Sequence, residues 1–467
     1  MSVQYGFILR RPLWGMASDD DVRVLLGDPR KAVKAMAIPL LISLLVAELN
    51  SIADRVWCSG LGSDALAAIA VVVPIYLVLS GLGNGLGVGG AAVVARFIGA
   101  GDRDSACGCA LNAAVFSFVF GLLLLPILLP TMDPILSVIG SEDINGLASD
   151  YMLYIVLMSP ILILNGTMAG LLRGEGAARM AKTMVLITAV VNIVLDPLFI
   201  YILDMGVAGA SLATLIATSV STLFGLSLYL RGMTYIHMSI RGFRFNRRYL
   251  GTVLSVGVPQ MLEYTVMYAM NVVLNLIVIM CAGSVGLTIY TVPNSIMELA
   301  VIPAMAIGSA LVPVASSAYG QRNTARISEA YRYSLTTAVG VVALLVAVVF
   351  VVPEPFLYMF TYTPEMEALR GQMVEAMRIY CLFLPFYAAI PVCSGLLQSI
   401  MMPNRSVWCA VVRNILLIIL YWIAAQYSLT AIFWAVFLGE VIGGLTIYAV
   451  ARRSYAVVSR RLDYNKG

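Results

Sequence analysis

Thr183-Met-Val-Leu-Ile-Thr-Ala-Val-Val-Asn192-Ile-Val-Leu-Asp196-Pro197-Leu-Phe-Ile-Tyr201 runs into a short break, and Gly206-Val-Ala-Gly209-Ala-Ser-Leu-Ala-Thr214 follows. Both sides of the break are strongly apolar, yet the first contains Asp196. An ionised carboxylate there must be solvated, paired or protonated, because leaving it bare in an apolar run is expensive. Asn192 precedes Asp196 by four residues, so on a helix the two side chains share a face. Pro197 has no N–H to donate, which interrupts the helix beside the acid and frees carbonyls. Two readings follow: a site for a small hard cation or a proton, or an acid that caps a broken helix. Pro197, Gly206 and Gly209 are the candidate bending points.

The rest of the chain sets the class. It is 61% hydrophobic and 12% charged, with a mean hydropathy of +0.93. Soluble domains carry about 25% charged residues, so this is a polytopic membrane protein partnered by the bilayer, not by nucleic acid. The seven cysteines are scattered through apolar runs and read as small buried hydrophobes. The one histidine, His237, lies in a basic stretch and reads as a solvated surface residue. That leaves no histidine for a metal site or a catalytic triad, and no metal site or cofactor is expected. Residues 1–31 show no secretory signal, and Asp19-Asp20-Asp21 reads as a solvated charge run.

Twelve apolar runs have the length of transmembrane helices: 33–57, 65–97, 107–130, 149–172, 181–203, 207–230, 250–281, 284–318, 330–352, 374–400, 407–427 and 430–451. The expected fold is all-α. The second run carries Gly81, Gly83, Gly85, Gly87, Gly89 and Gly90, a pattern for close helix packing or bending. Twelve spans put both termini on one side. All but four of the 29 Lys and Arg residues fall in the termini and in alternate loops on that side. The four are Arg55, Arg370, Arg378 and Arg413. The positive-inside rule therefore places the termini in the cytoplasm.

The chain is also a duplication at an offset of about 220 residues. Pro39 pairs with Pro259, Pro74 with Pro293, Gly99 with Gly320, and Asn192-Ile193 with Asn414-Ile415. Six spans repeated by six give parallel, pseudo-symmetric bundles, as in transporters with parallel repeats. The expected lobes are 1–236 and 237–467, joined near 231–249, where five arginines suit the cytoplasmic face and lipid headgroups. The lobes differ in their acids. The partner of Asp196 falls near Ile418 and that of Asp54 near Val273 or Leu274, so that pair of acids belongs to the N-terminal lobe. Glu48 in the first run, and Glu263 and Glu298 in the C-terminal lobe, are further candidates for lining a cavity or coupling an ion. Arg413 and Glu440 lie in consecutive helices and either form an ion pair or each face water in a cavity.

Several motifs recur in one order. They are Leu26-Gly-Asp-Pro-Arg-Lys-Ala followed by Pro39, Asp54 to Ala67, Arg96-Phe-Ile-Gly-Ala-Gly-Asp102, and Leu172-Arg-Gly-Glu-Gly176. Asn192-Ile-Val-Leu-Asp-Pro with Gly206-Val-Ala-Gly-Ala, and Glu298 to Gly308, complete the series. In order, spacing and duplication the chain resembles the multidrug and toxic compound extrusion (MATE) family over residues 25–452, most closely its prokaryotic DinF-like branch. The resemblance implies two six-helix lobes around a central cavity that alternate between outward- and inward-open states. It implies export of amphipathic, often cationic small molecules by a monomer in the plasma membrane, against an inward flow of H+ or Na+. Carried over, the cation site of that branch falls on Asp54, Asn192, Asp196 and Thr214, with Tyr151 as a fifth member. Na+ would sit at Asp54, Asn192 and Asp196. Glu48 and Glu263 depart from the pattern, which has a neutral polar residue or none there.

Two rivals have sequence consequences. A flippase for a lipid-linked saccharide, of the same superfamily, calls for more cationic residues along the cavity to meet a pyrophosphate. An intramembrane enzyme calls for Cys/His or Ser/His arrangements that this chain lacks.

Overall fold

The computed structural model describes residues 19–139, 144–238 and 245–464, and these are almost wholly helical. The N-terminal half runs through α1 (Asp19–Leu26), α2 (Pro29–Ser59), α3 (Ser63–Gly99), α4 (Arg103–Ile139), α5 (Asn145–Leu157), α6 (Ser159–Gly174), α7 (Ala178–Pro197) and α8 (Gly206–Leu230). The C-terminal half runs through α9 (Arg247–Gly320), α10 (Thr324–Val351), α11 (Glu354–Tyr358), α12 (Pro364–Tyr387), α13 (Ala389–Ser399), α14 (Pro403–Ala424) and α15 (Leu429–Tyr464).

Ten helices among the described residues are long and apolar enough to cross a bilayer, and α5 with α6, bent by 51°, make an eleventh span. The twelfth lies inside α9, whose 74 residues would extend about 110 Å at 1.5 Å each. A bilayer core is about 30 Å thick, so α9 is two spans. They meet at Gly283, whose φ of 66° and ψ of −164° are open to glycine and costly for other residues. The twelve apolar runs correspond to these spans. The last run is extended: α15 continues past residue 451 to Tyr464. Its arginine-rich end is held by Arg405, which donates to Ser454 Oγ at 2.8 Å, and by Tyr455, which donates to the Thr324 carbonyl at 2.9 Å.

The two halves interlock. The first half of α2, with Ala32, Val33, Met36 and Leu40, belongs to the same buried core as Ala304, Leu311 and Ala338 of α9 and α10. The glycines of α3 explain the reciprocal contact. An added Cβ at Gly83 would meet the Ile163 backbone of α6 at 2.9 Å, whereas one at Gly89 would meet Gly257 N of α9 at 2.7 Å. The helix is thus pressed between its own half and the other, and its glycines serve packing rather than bending.

These inter-half contacts concentrate at the end that carries both termini. A Cβ at Gly99 would lie 2.7 Å from the Ser317 carbonyl carbon. Nearby, Arg30 Nε meets Glu329 Oε1 at 2.8 Å, and Arg326 donates to the Gly27 carbonyl at 2.6 Å. The Asp19-Asp20-Asp21 run forms the first turn of α1, with Asp19 and Asp20 exposed and Asp21 half-buried. Asp21 presents its carbonyl to Gly176 in the α6–α7 turn, where a Cβ would approach to 2.8 Å. All seven cysteines are free; Cys58, Cys109, Cys381 and Cys393 are buried, but Cys107, Cys281 and Cys409 are only half-buried. His237 is exposed, with Nε2 3.3 Å from Arg103.

Candidate functional site

The N-terminal half holds a chain of polar side chains built on two helices with the same local device. On α7, Asn192 donates to Asp196 Oδ1 at 3.0 Å, four residues on. On α2, Asn50 reaches Asp54 across the same interval, at 3.4 and 3.5 Å. The pairs are joined by Asn50, which donates to Asn192 Oδ1 at 2.8 Å. Asn192 also points its amide toward Thr214 Oγ1 of α8 at 3.4 Å, while the Thr214 hydroxyl donates to the Ala210 carbonyl at 3.1 Å. Asp54 and Asp196 are thus linked through the two amides, Asn50 and Asn192. Asn192 and Asp196 are each only 1% exposed, and Asp196 Oδ2 has no partner. Tyr151 makes no hydrogen bond here; it packs beside Cys58, Ile200 and Ala210.

Asn50 was not among the sequence candidates, although its four-residue spacing to Asp54 repeats the one that drew attention to Asn192 and Asp196. The backbone after Asp196 is wound rather than simply kinked. α7 ends at Pro197, residues Leu198–Ile202 form a π-helical turn, and Asp204 and Gly206 take φ of 53° and 54°. Such π segments occur where a helix is distorted for function. Gly209 lies against the backbone of Phe199, where a Cβ would come within 2.7 Å of its carbonyl, so close packing fixes that glycine.

The C-terminal half has no second acid at the repeat-related places and is organised differently. Glu263 accepts from Ser406 at 3.1 Å and from Ser394 at 3.4 Å. Ser406 is 2.8 Å from Ser394, and Gln398 donates to both Ser394 and Gln260. Arg413 and Glu440 form an ion pair at 3.3 Å, with side chains 12% and 11% exposed, and the guanidinium lies over the Tyr387 ring at 5.7 Å. Gln260, Glu263, Tyr387, Ser394, Gln398 and Arg413 line a cavity of about 150 Å³. Glu298 lies elsewhere: it is exposed and accepts from Asn294 at 3.1 Å. No group of three or more His, Cys, Asp or Glu side chains suited to a metal ion occurs among the described residues.

The duplicated six-span architecture with an acid site in one half is matched by a known family. MatE matches residues 39–198 and 259–423, segments that begin at the first proline pair of the internal repeat. The chain belongs to the MatE family. It is therefore a multi-pass membrane transporter of the multidrug-efflux type and not an enzyme. A multidrug export protein, MepA of Staphylococcus saprophyticus, is 24% identical over 89% of this chain and 92% of its own length. A crystal structure of MATE in complex with MaL6 superposes with a TM-score of 0.91 at 29% identity, over 95% of this chain and 100% of that one. An outward-facing multidrug resistance MATE transporter of the MOP superfamily gives 0.90 at 29% identity, over 94% and 99%.

Proposed function

We propose that the chain exports amphipathic, often cationic compounds and is driven by inward flow of H+ or Na+ through Asp54 and Asp196. The observation that carries this reading is the polar chain that links the Asp54 carboxyl of α2 to the Asp196 carboxyl of α7 through Asn50 and Asn192, with Thr214 beside it. Two acids so close do not both hold charge cheaply, so a proton or a small cation between them is favoured. The donors are all oxygens and amides, which suits H+ or Na+ and not a soft metal.

Loading must favour one conformation over the other, because a ligand with equal affinity for both shifts nothing. The site spans α2, α7 and α8, and α2 also packs its first half against the C-terminal half. A cation that ties α2 to α7 therefore bears on the contact between the halves. In this reading the lobes, 1–236 and 237–467, rock about that contact in a plasma membrane, as a monomer with both termini in the cytoplasm. The closed end at Gly99 and Ser317 is then the cytoplasmic one, and the state is outward-facing.

The test is transport in proteoliposomes with a pH gradient or a Na+ gradient imposed one at a time. Asp196→Asn keeps the size and hydrogen bonding of the side chain but cannot exchange charge; it is expected to fold and to lose gradient-driven export. Asp54→Asn is expected to impair coupling. Wild-type coupled transport by the double variant would refute the N-terminal mechanism and pass the role to Glu263 or Glu298.

A further inference from the structure

The hydrogen bonds around Asp54 and Asp196 use up every donor and leave two oxygens over. Asn192 is fully committed: its Oδ1 accepts from Asn50 at 2.8 Å, and its amide donates to Asp196 Oδ1 at 3.0 Å and toward Thr214 Oγ1 at 3.4 Å. The Thr214 hydroxyl gives its proton to the Ala210 carbonyl at 3.1 Å. Asn50 directs its own amide at Asn192 and, at 3.4 and 3.5 Å, at Asp54. A primary amide carries two N–H groups and a hydroxyl one O–H, so the donors of Asn50, Asn192 and Thr214 are all placed. The oxygens that remain are Asn50 Oδ1 and Asp196 Oδ2, both buried and without a partner among the described residues. They belong to the two side chains bonded to opposite ends of one planar amide, that of Asn192. No salt bridge reaches Asp54 or Asp196 among the described residues. The adjacent cation, Arg55, is exposed and turned to Ser51 Oγ at 3.4 Å. Buried oxygens with no donor left to meet them call for a positively charged guest.

We propose that Asn50 supplies a ligand oxygen to Na+ in this site, and that Asn192 is the spacer that fixes Asn50 and Asp196 on either side of it. The proposal rests on the reading that Asp54 and Asp196 are the coupling acids. It changes the ligand set that the family resemblance implies: Asn50 enters, and the Asn192 oxygen, already bonded, leaves. Na+ is a hard cation held by carbonyl and carboxylate oxygens. Asn50 Oδ1, Asp196 Oδ2 and the Asp54 carboxylate are the oxygens on offer. Asn50 and Asp54 lie one turn apart on α2, and Asp196 lies on α7. An ion shared by these oxygens therefore draws α2 to α7, and Asn50 decides how firmly the α2 side is held.

Binding of radioactive Na+ to the full-length protein in lipid nanodiscs tests the assignment without transport. The pH is fixed, and choline keeps the ionic strength constant. Asn50→Leu keeps roughly the side-chain volume but offers no oxygen. It is expected to weaken Na+ binding about tenfold or more, the scale on which supporting groups act at metal sites. Asn50→Asp keeps an oxygen at the same place and removes the N–H donors. It is expected to bind Na+ as tightly as the parent or more tightly. A weakened aspartate variant would show that the donors of the amide matter and not its oxygen, and would overturn the proposal. Parent-like binding in Asn50→Leu, no Na+ binding by the parent, or binding that survives in the double Asp54→Asn, Asp196→Asn variant would each overturn it too. If the leucine variant gives no cooperative melt, the aspartate variant decides alone. A parent that exports on a pH gradient and binds no Na+ would overturn this assignment and leave the export reading. The expected Na+ binding without gradient-driven export would support the assignment and remove only the export reading.

Discussion

The contact between the halves can be wedged open by two methyl groups. A Cβ at Gly89 would lie 2.6 Å from the Val253 carbonyl oxygen, 2.7 Å from Gly257 N and 2.8 Å from Gly257 Cα. At Gly99 it would lie 2.7 and 2.8 Å from the Ser317 carbonyl carbon and Cα. All of these atoms are backbone, so no side chain can swing away. Ordinary contact begins near 3.4 Å, so the helices must separate by roughly 1 Å, the Ser317 carbonyl oxygen being the nearest atom to a Cβ at Gly99. Overpacking of this kind costs about 1–3 kcal/mol. Because the strain exists only while the halves are closed at this end, each alanine multiplies the open-to-closed ratio by about fivefold to a hundredfold. The two sites share one interface, so their effects will not simply add. Spin labels at the exposed positions Arg179 and Ala325, one on each half, read the separation by pulsed electron resonance. The expected result for Gly89→Ala with Gly99→Ala is a new, longer distance population. A distribution identical to that of the parent, in protein that stays monodisperse, would refute the claim that this glycine contact holds the end shut.

Three further outcomes are expected. Arg413→Leu leaves Glu440 buried and unpaired at a cost of about 3–5 kcal/mol, so thermal stability should fall sharply and adding Glu440→Gln should restore part of it; strictly additive losses would contradict the pair. Glu175, 1% exposed in the α6–α7 turn, accepts from Ile236 N at 3.0 Å, and burial pushes its carboxyl up to about 8. Its proton is held in the fold and lost from the unfolded chain above the ordinary carboxylate range. Stability should therefore fall, by up to about 1.4 kcal/mol per pH unit, as pH rises from about 5 to 8, and melting curves of Glu175→Gln should lose that slope. Single cysteines at the exposed positions Arg231 and Glu365, in a cysteine-free background, should react with an impermeant maleimide from the cytoplasmic and external sides respectively; the reverse would invert the charge argument.

Much of this protein was legible in one dimension because a bilayer imposes one-dimensional rules. Backbone groups in hydrocarbon must be satisfied within a helix, so apolar length alone delimited twelve spans. The duplication was visible because Pro39 and Pro259, and Gly99 and Gly320, mark equivalent bends and contacts. Asp196 declared itself because a carboxyl in an apolar run is expensive, and Asn192 because four residues place it on the same face. What the sequence could not decide is which side chains meet between helices, since that depends on how the helices rotate and approach one another. Asn50 joins the two acid pairs only because α2 and α7 lie together at that depth. The glycines of α3 were compatible with bending or packing until two neighbours were seen pressed against opposite faces. The place of Arg173 is likewise a tertiary fact. Its sequence neighbours show one more positive residue near a span end, and only the packing of the two halves puts it in one cavity with Glu263 and Arg413.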